Sequence, residues 1–126
     1  MASYDERQVG RLLQDEGIVR HRGKIEAVIH NAGRAVSLQA ECGSLAAYFW
    51  RYEVDRAQAA PPQTVSTSPE AQALAKDLKQ RGWKFVGPTT VYAFMQAMGL
   101  LNDHVPACIV ALRVDQARAV FKVPVP

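Results

Sequence analysis

Only two cysteines, Cys42 and Cys108, occur in the 126 residues. Two thiols so far apart cannot build a disulfide framework, and reduced side chains are expected. Long apolar runs are also missing: no segment reaches the about 20 residues that a membrane-spanning helix requires. The N-terminus, Met1-Ala2-Ser3-Tyr4-Asp5-Glu6-Arg7, has no hydrophobic signal region, so a cytoplasmic location is expected. No nucleophile elbow, Walker loop or paired-carboxylate pattern is present, which leaves no catalytic residue to name. Excess charge is small as well. The net charge of +3 agrees with a polyanionic partner without requiring one.

What is present is the composition of a folded chain. Hydrophobic residues make up 48% of it, enough for one modest core, so residues 1–126 are expected to form a single helical domain. Ser3 with Glu6 reads as a capping box for a first helix carrying Val9, Leu12 and Leu13, which Gly17 would end. A second helix is expected from Arg22 to Glu41, burying Ile25, Val28, Ile29, Ala32 and Val36. Gly43 closes it, and Ser44 caps a third with Leu45, Tyr48, Phe49 and Tyr52 on its apolar side. Residues 55–67 lose helical periodicity and contain Pro61-Pro62, so a surface loop is expected there. Ser68-Pro69-Glu70 then opens a fourth helix with Ala71, Leu74, Ala75 and Leu78 inward. Pro88 opens a fifth with Val91, Phe94, Met95 and Met98, and Gly99 stops it. Residues 109–126 are apolar without a clear period and read as an uncertain tail, frayed over its last five residues.

Between the fourth and fifth helices lies Arg81-Gly82-Trp83-Lys84-Phe85-Val86-Gly87-Pro88. Two glycines bracket a tight turn, and the first amides of the next helix lack helical acceptors. Those donors and the positive end of the helix dipole suit a phosphate. The pattern is that of a helix-hairpin-helix, which holds a nucleic-acid backbone without reading its sequence. Gly82 would leave the helix in a left-handed conformation, and Gly87 would let a phosphate approach closely. Lys84, Thr89 and Thr90 would add a charge and hydroxyl donors, while Phe85 and Val86 would pin the turn to the core. The same residues also suit an ordinary helix–helix connection with a glycine cap and an N-terminal proline.

Two further clusters stand out. Arg20, His21, Arg22 and Lys24 gather positive charge at a helix start, where Arg20, Arg22 and Lys24 could meet phosphates. Cations there oppose the helix dipole and call for an acidic partner, such as Asp15 or Glu16. His104 and Cys108 are four residues apart and could share a zinc ion, but structural zinc takes four ligands and a lone pair of this kind is often accidental. Asp103 could cap a short helix or act as a base.

Several of these segments together resemble the bacterial DNA-3-methyladenine glycosylase I family, within the helix-hairpin-helix DNA glycosylases. The matching stretches are Gly17-Ile18-Val19-Arg20-His21-Arg22-Gly23-Lys24-Ile25 and Lys79-Gln80-Arg81-Gly82-Trp83-Lys84-Phe85-Val86-Gly87. They continue in Tyr92-Ala93-Phe94-Met95-Gln96-Ala97-Met98-Gly99-Leu100 and Asn102-Asp103-His104-Val105, so that the likeness covers most of residues 4–108. The resemblance implies an all-α glycosylase domain that removes 3-methyladenine from alkylated double-stranded DNA by hydrolysing the N-glycosidic bond, without lyase chemistry. It implies that the hairpin grips DNA, and that His104 and Cys108 are the C-terminal half of a structural Zn²⁺ site.

The sequence also departs from that family. The family's N-terminal third carries two more zinc ligands and the glutamate, tyrosine and tryptophan of the base pocket, and nothing here matches them. The expectation is therefore an N-terminally truncated fold with an incomplete zinc site. Leu12, Ile25, Val28, Tyr48 and Phe49 would be uncovered and self-association would be possible. The alternatives are a catalytically inactive helix-hairpin-helix DNA-binding fragment or, more remotely, a helical interaction domain. A methylated base is already cationic and leaves easily, so pocket complementarity can suffice without a strong general base.

Overall fold

The computed structural model describes residues 1–125; Pro126, the end of the expected frayed tail, lies outside the described residues. Among the described residues six α-helices run in order: α1 Glu6–Leu12, α2 Arg22–Cys42, α3 Leu45–Phe49, α4 Pro69–Gln80, α5 Pro88–Met98 and α6 Ile109–Val120. Short 3₁₀ turns at Trp50–Tyr52 and Arg56–Gln58 join α3 to the loop before α4, and no strand occurs among the described residues. None of these helices is long and apolar enough to cross a membrane.

Caps explain most of the helix starts. Ser44 Oγ accepts from the Ala47 amide at 2.9 Å and Ser68 Oγ from Ala71 at 3.2 Å, as expected for N-caps. For α1 the capping box belongs to Asp5 and Gln8, not to Ser3 and Glu6. The Asp5 carboxylate accepts from the Arg7 amide at 2.9 Å and the Gln8 amide at 3.4 Å, while Gln8 Oε1 accepts from Asp5 N at 3.0 Å. An anion at the positive helix end does this better than a hydroxyl two residues earlier. The helix also stops at Leu12, five residues before Gly17.

The core centres on α4 and α5. Ala71, Leu74, Ala75 and Leu78 are buried as their spacing predicts, facing Val91 and Met95 of α5. Phe94 and Met98, expected inward, are exposed, although the Phe94 ring lies 4.9 Å from that of Phe49 in α3. On α2 the buried residues are Ile25, Ala27, Leu38 and Cys42, whereas Val28 and Val36 face outward, Val36 with 61% exposure. Tyr48 and Ile25, expected to be uncovered, are also buried, Tyr48 at 1% exposure.

The tail left uncertain is mostly helix, α6 over Ile109–Val120, and residues 122–125 of the stretch expected to be frayed lie beyond it. Polar contacts dock α6, although Ile109 is 80% exposed. Arg118 Nη2 donates to Val54 O at 2.8 Å, Glu53 Oε1 at 3.1 Å and Leu100 O at 3.2 Å. Asn102 Nδ2 donates to Ala111 O and Asp115 Oδ1, both at 2.9 Å, and Phe121 stacks on Trp50 at 4.4 Å.

Candidate nucleic-acid interface

The turn from Gly82 to Gly87 is built from both sides. Gly82 has φ +82, a left-handed position reserved for glycine, and ends α4 as expected. Trp83 N donates to Leu78 O at 2.9 Å, closing the helix end, and the Trp83 and Val86 side chains pack on the core. At Gly87 the backbone is extended, and an added Cβ would meet open space. That glycine is the N-cap of α5 and offers no side-chain cap. The first-turn amides of Thr89 and Thr90 therefore face outward without a helical carbonyl before them. Lys84, Thr89 and Thr90 are all exposed beside this opening.

One expected contact is absent. Phe85 does not pin the turn: its ring is 63% exposed and its backbone takes φ +57. The pinning comes from α2 instead. Asn31 Nδ2 donates to Lys84 O at 2.8 Å, and Asn31 Oδ1 accepts from Lys84 N at 2.9 Å. His30 Nε2 donates to Gly82 O at 2.6 Å. Neither residue stood out in the sequence, because a polar pair in mid-helix has no periodic signature.

A charged network braces the start of the turn. Asp77 Oδ2 accepts from the Tyr48 hydroxyl at 2.5 Å and from Arg81 Nε at 2.7 Å, and Arg81 Nη1 reaches Glu41 at 2.8 Å. Burial works against the Asp77 charge, but hydrogen bonds from Tyr48 and Arg81 outweigh it and hold the carboxyl below its ordinary range. Burial, then the bond to Asp77, raises the Tyr48 hydroxyl. The hydrogen bond it accepts from Arg81 holds Glu41 low, and the bonds that Arg81 donates to Glu41 and Asp77 raise Arg81.

The basic cluster lies apart from the turn. Arg22 and Asn31 are nine residues apart on α2, about 13 Å at the usual helical rise. Arg22 is neutralised by Glu6 at 2.6 Å and Glu26 at 3.2 Å, rather than by Asp15 or Glu16. The Asp15 carboxylate caps the Gly17 amide instead, at 2.8 Å. Arg20 and Lys24 are exposed, and His21 Nδ1 caps α2 by accepting from Lys24 N at 3.1 Å.

His104 and Cys108 do come together, across a non-helical turn closed by Cys108 N donating to Val105 O. Their Nδ1 and Sγ atoms lie 3.7 Å apart. Tetrahedral zinc would set such a pair about 3.6 Å apart, so two of its corners fit. No group of three or more possible metal ligands occurs among the described residues. Asp103 is neither a helix cap nor free: it accepts from Gln63 N at 2.8 Å and faces Tyr92.

Comparison with known proteins places this geometry. DNA-3-methyladenine glycosylase 1 of Escherichia coli (strain K12) is 43% identical over 112 residues, covering 86% of this chain and 60% of that protein. The Haemophilus influenzae DNA-3-methyladenine glycosylase is 36% identical over 105 residues, covering 76% of this chain and 54% of its own length. This chain thus spans less than two thirds of the curated relatives it matches. A crystal structure of a 3-methyladenine DNA glycosylase I superposes with a TM-score of 0.73 at 41% identity, over 86% of this chain and 62% of that one. The Staphylococcus aureus enzyme superposes at 0.76 with 30% identity, over 87% and 61%. The family pattern described as methyladenine glycosylase runs through residues 1–111. With that match across five of its six helices and the same path in solved relatives, this chain belongs to the methyladenine glycosylase family.

Proposed function

We propose that this chain serves in the repair of alkylated DNA, in the hydrolysis of the N-glycosidic bond of 3-methyladenine, and that its Gly82–Thr90 segment grips the duplex. One observation carries the reading: in a chain 43% identical to a 3-methyladenine glycosylase, the Gly82–Thr90 segment presents open amides, Lys84 and two hydroxyls together. Lys84 supplies charge to a phosphate, and the first amides of α5 supply donors in a fixed direction. Arg20 and Lys24, exposed at the start of α2, are further phosphate contacts separate from the hairpin.

The test is release of free 3-methyladenine from alkylated duplex DNA. Release above an alkylated-DNA blank is the expected outcome. No release from protein that still binds duplex would favour the second reading, a helix-hairpin-helix DNA-binding chain without chemistry.

His104 and Cys108 are proposed as two ligands of a structural Zn²⁺. Two donors hold zinc weakly, so metal analysis of the purified chain should find well under one equivalent. A full equivalent would show that further ligands complete the site.

A further inference from the structure

We propose that the Phe85 ring is a contact surface for DNA, laid against sugar beside the phosphates that the hairpin holds; this rests on the duplex-gripping reading above. Four observations converge on that ring. It is 63% exposed, although Trp83 and Val86 on either side pack on the core. It also stands at φ +57, where glycine or asparagine would sit without the steric cost a bulky residue meets. Nor can the backbone relax by turning the ring inward, since Asn31 holds both the amide and the carbonyl of Lys84 and His30 holds Gly82 O. Its neighbours, finally, are the exposed Lys84, Thr89 and Thr90 and the open face of Gly87.

An apolar ring kept outside by hydrogen bonds from another helix adds nothing to the core. Against nucleic acid it adds what Lys84 cannot. Every deoxyribose of a duplex offers an apolar face, so such a contact is tolerant of sequence and does not depend on counterion release. The hairpin would then combine a charge contact that weakens with salt and a ring contact that does not.

The measurement is fluorescence anisotropy of a labelled duplex with the full chain, across a salt series. Phe85→Asn suits the left-handed backbone and removes the ring. Its affinity is expected to fall about tenfold with the salt slope and the melting temperature unchanged, while Phe85→Trp keeps binding. Lys84→Ala, the electrostatic control, should lower the slope by about one. Unchanged affinity in Phe85→Asn beside a weakened Lys84→Ala would overturn the inference and leave the grip standing. A fall in melting temperature that tracks the loss of affinity would make the ring structural and also overturn it. A wild-type chain that does not bind duplex would overturn the underlying reading, and the inference with it.

Discussion

Asp77→Ala is expected to cost about 2–4 kcal/mol of unfolding free energy, measured by urea denaturation. The carboxylate accepts from the Tyr48 hydroxyl and from Arg81 Nε, so its loss strands a hydroxyl on a residue that is 1% exposed. It also frees one side of the guanidinium that immediately precedes Gly82. Tyr48→Phe is the milder control. It removes the stranded group together with its bond, leaves Asp77 and Arg81 paired, and should cost about 1 kcal/mol. The pH dependence has a definite sign. Asp77 is held below its ordinary range in the folded chain, so its contribution is fully present above the unfolded carboxyl pKa of about 4. That contribution is lost as pH falls further, through the folded value. Asp77→Ala should therefore flatten the acid limb of the stability curve, and an equally steep limb in the variant would contradict this role.

Leu74→Ala should destabilise the chain by about 3–5 kcal/mol, a large fraction of what a domain of this size has. Leu74 is fully buried, at 0% exposure, between α4 and the α5 residues Val91 and Met95. Alanine leaves a cavity that two paired helices cannot close without moving the turn that joins them. Leu74→Met keeps most of the volume and should cost less than about 1.5 kcal/mol. Because the hairpin is the link between α4 and α5, duplex binding by Leu74→Ala should disappear at the same temperature as its helical signal. Binding that outlasts the helical transition would show that the hairpin does not depend on this packing.

The ends of α4 and α5 were legible because the devices that set them are local. Ser68, Pro69, Gly82, Pro88 and Gly99 each act on their own turn of chain, and the spacing of Leu74 and Leu78 follows one helix face. Helix α2 was legible in extent and not in orientation. Over 21 residues it meets α1 at one end, the hairpin in the middle and α3 at the other, so no single stripe describes it. Its middle is held by His30 and Asn31, which apolar periodicity passes over. The last helix was missed for a related reason. Arg118, Asp115 and Asn102 dock it while Ile109, Leu112 and Val120 remain outside, which inverts the pattern that apolar spacing detects. Phe85 was misjudged because a large ring is ordinarily buried, and its backbone angle cannot be read from composition.

Whether the hairpin holds a phosphate backbone is measured most directly by duplex affinity against salt for the wild-type chain and Lys84→Ala. The logarithm of wild-type affinity should fall linearly with the logarithm of salt concentration. Lys84→Ala should bind more weakly on every duplex sequence, with a slope smaller by about one. Identical affinity and slope in the two proteins would contradict the account, since the hairpin's one exposed lysine would then touch no phosphate.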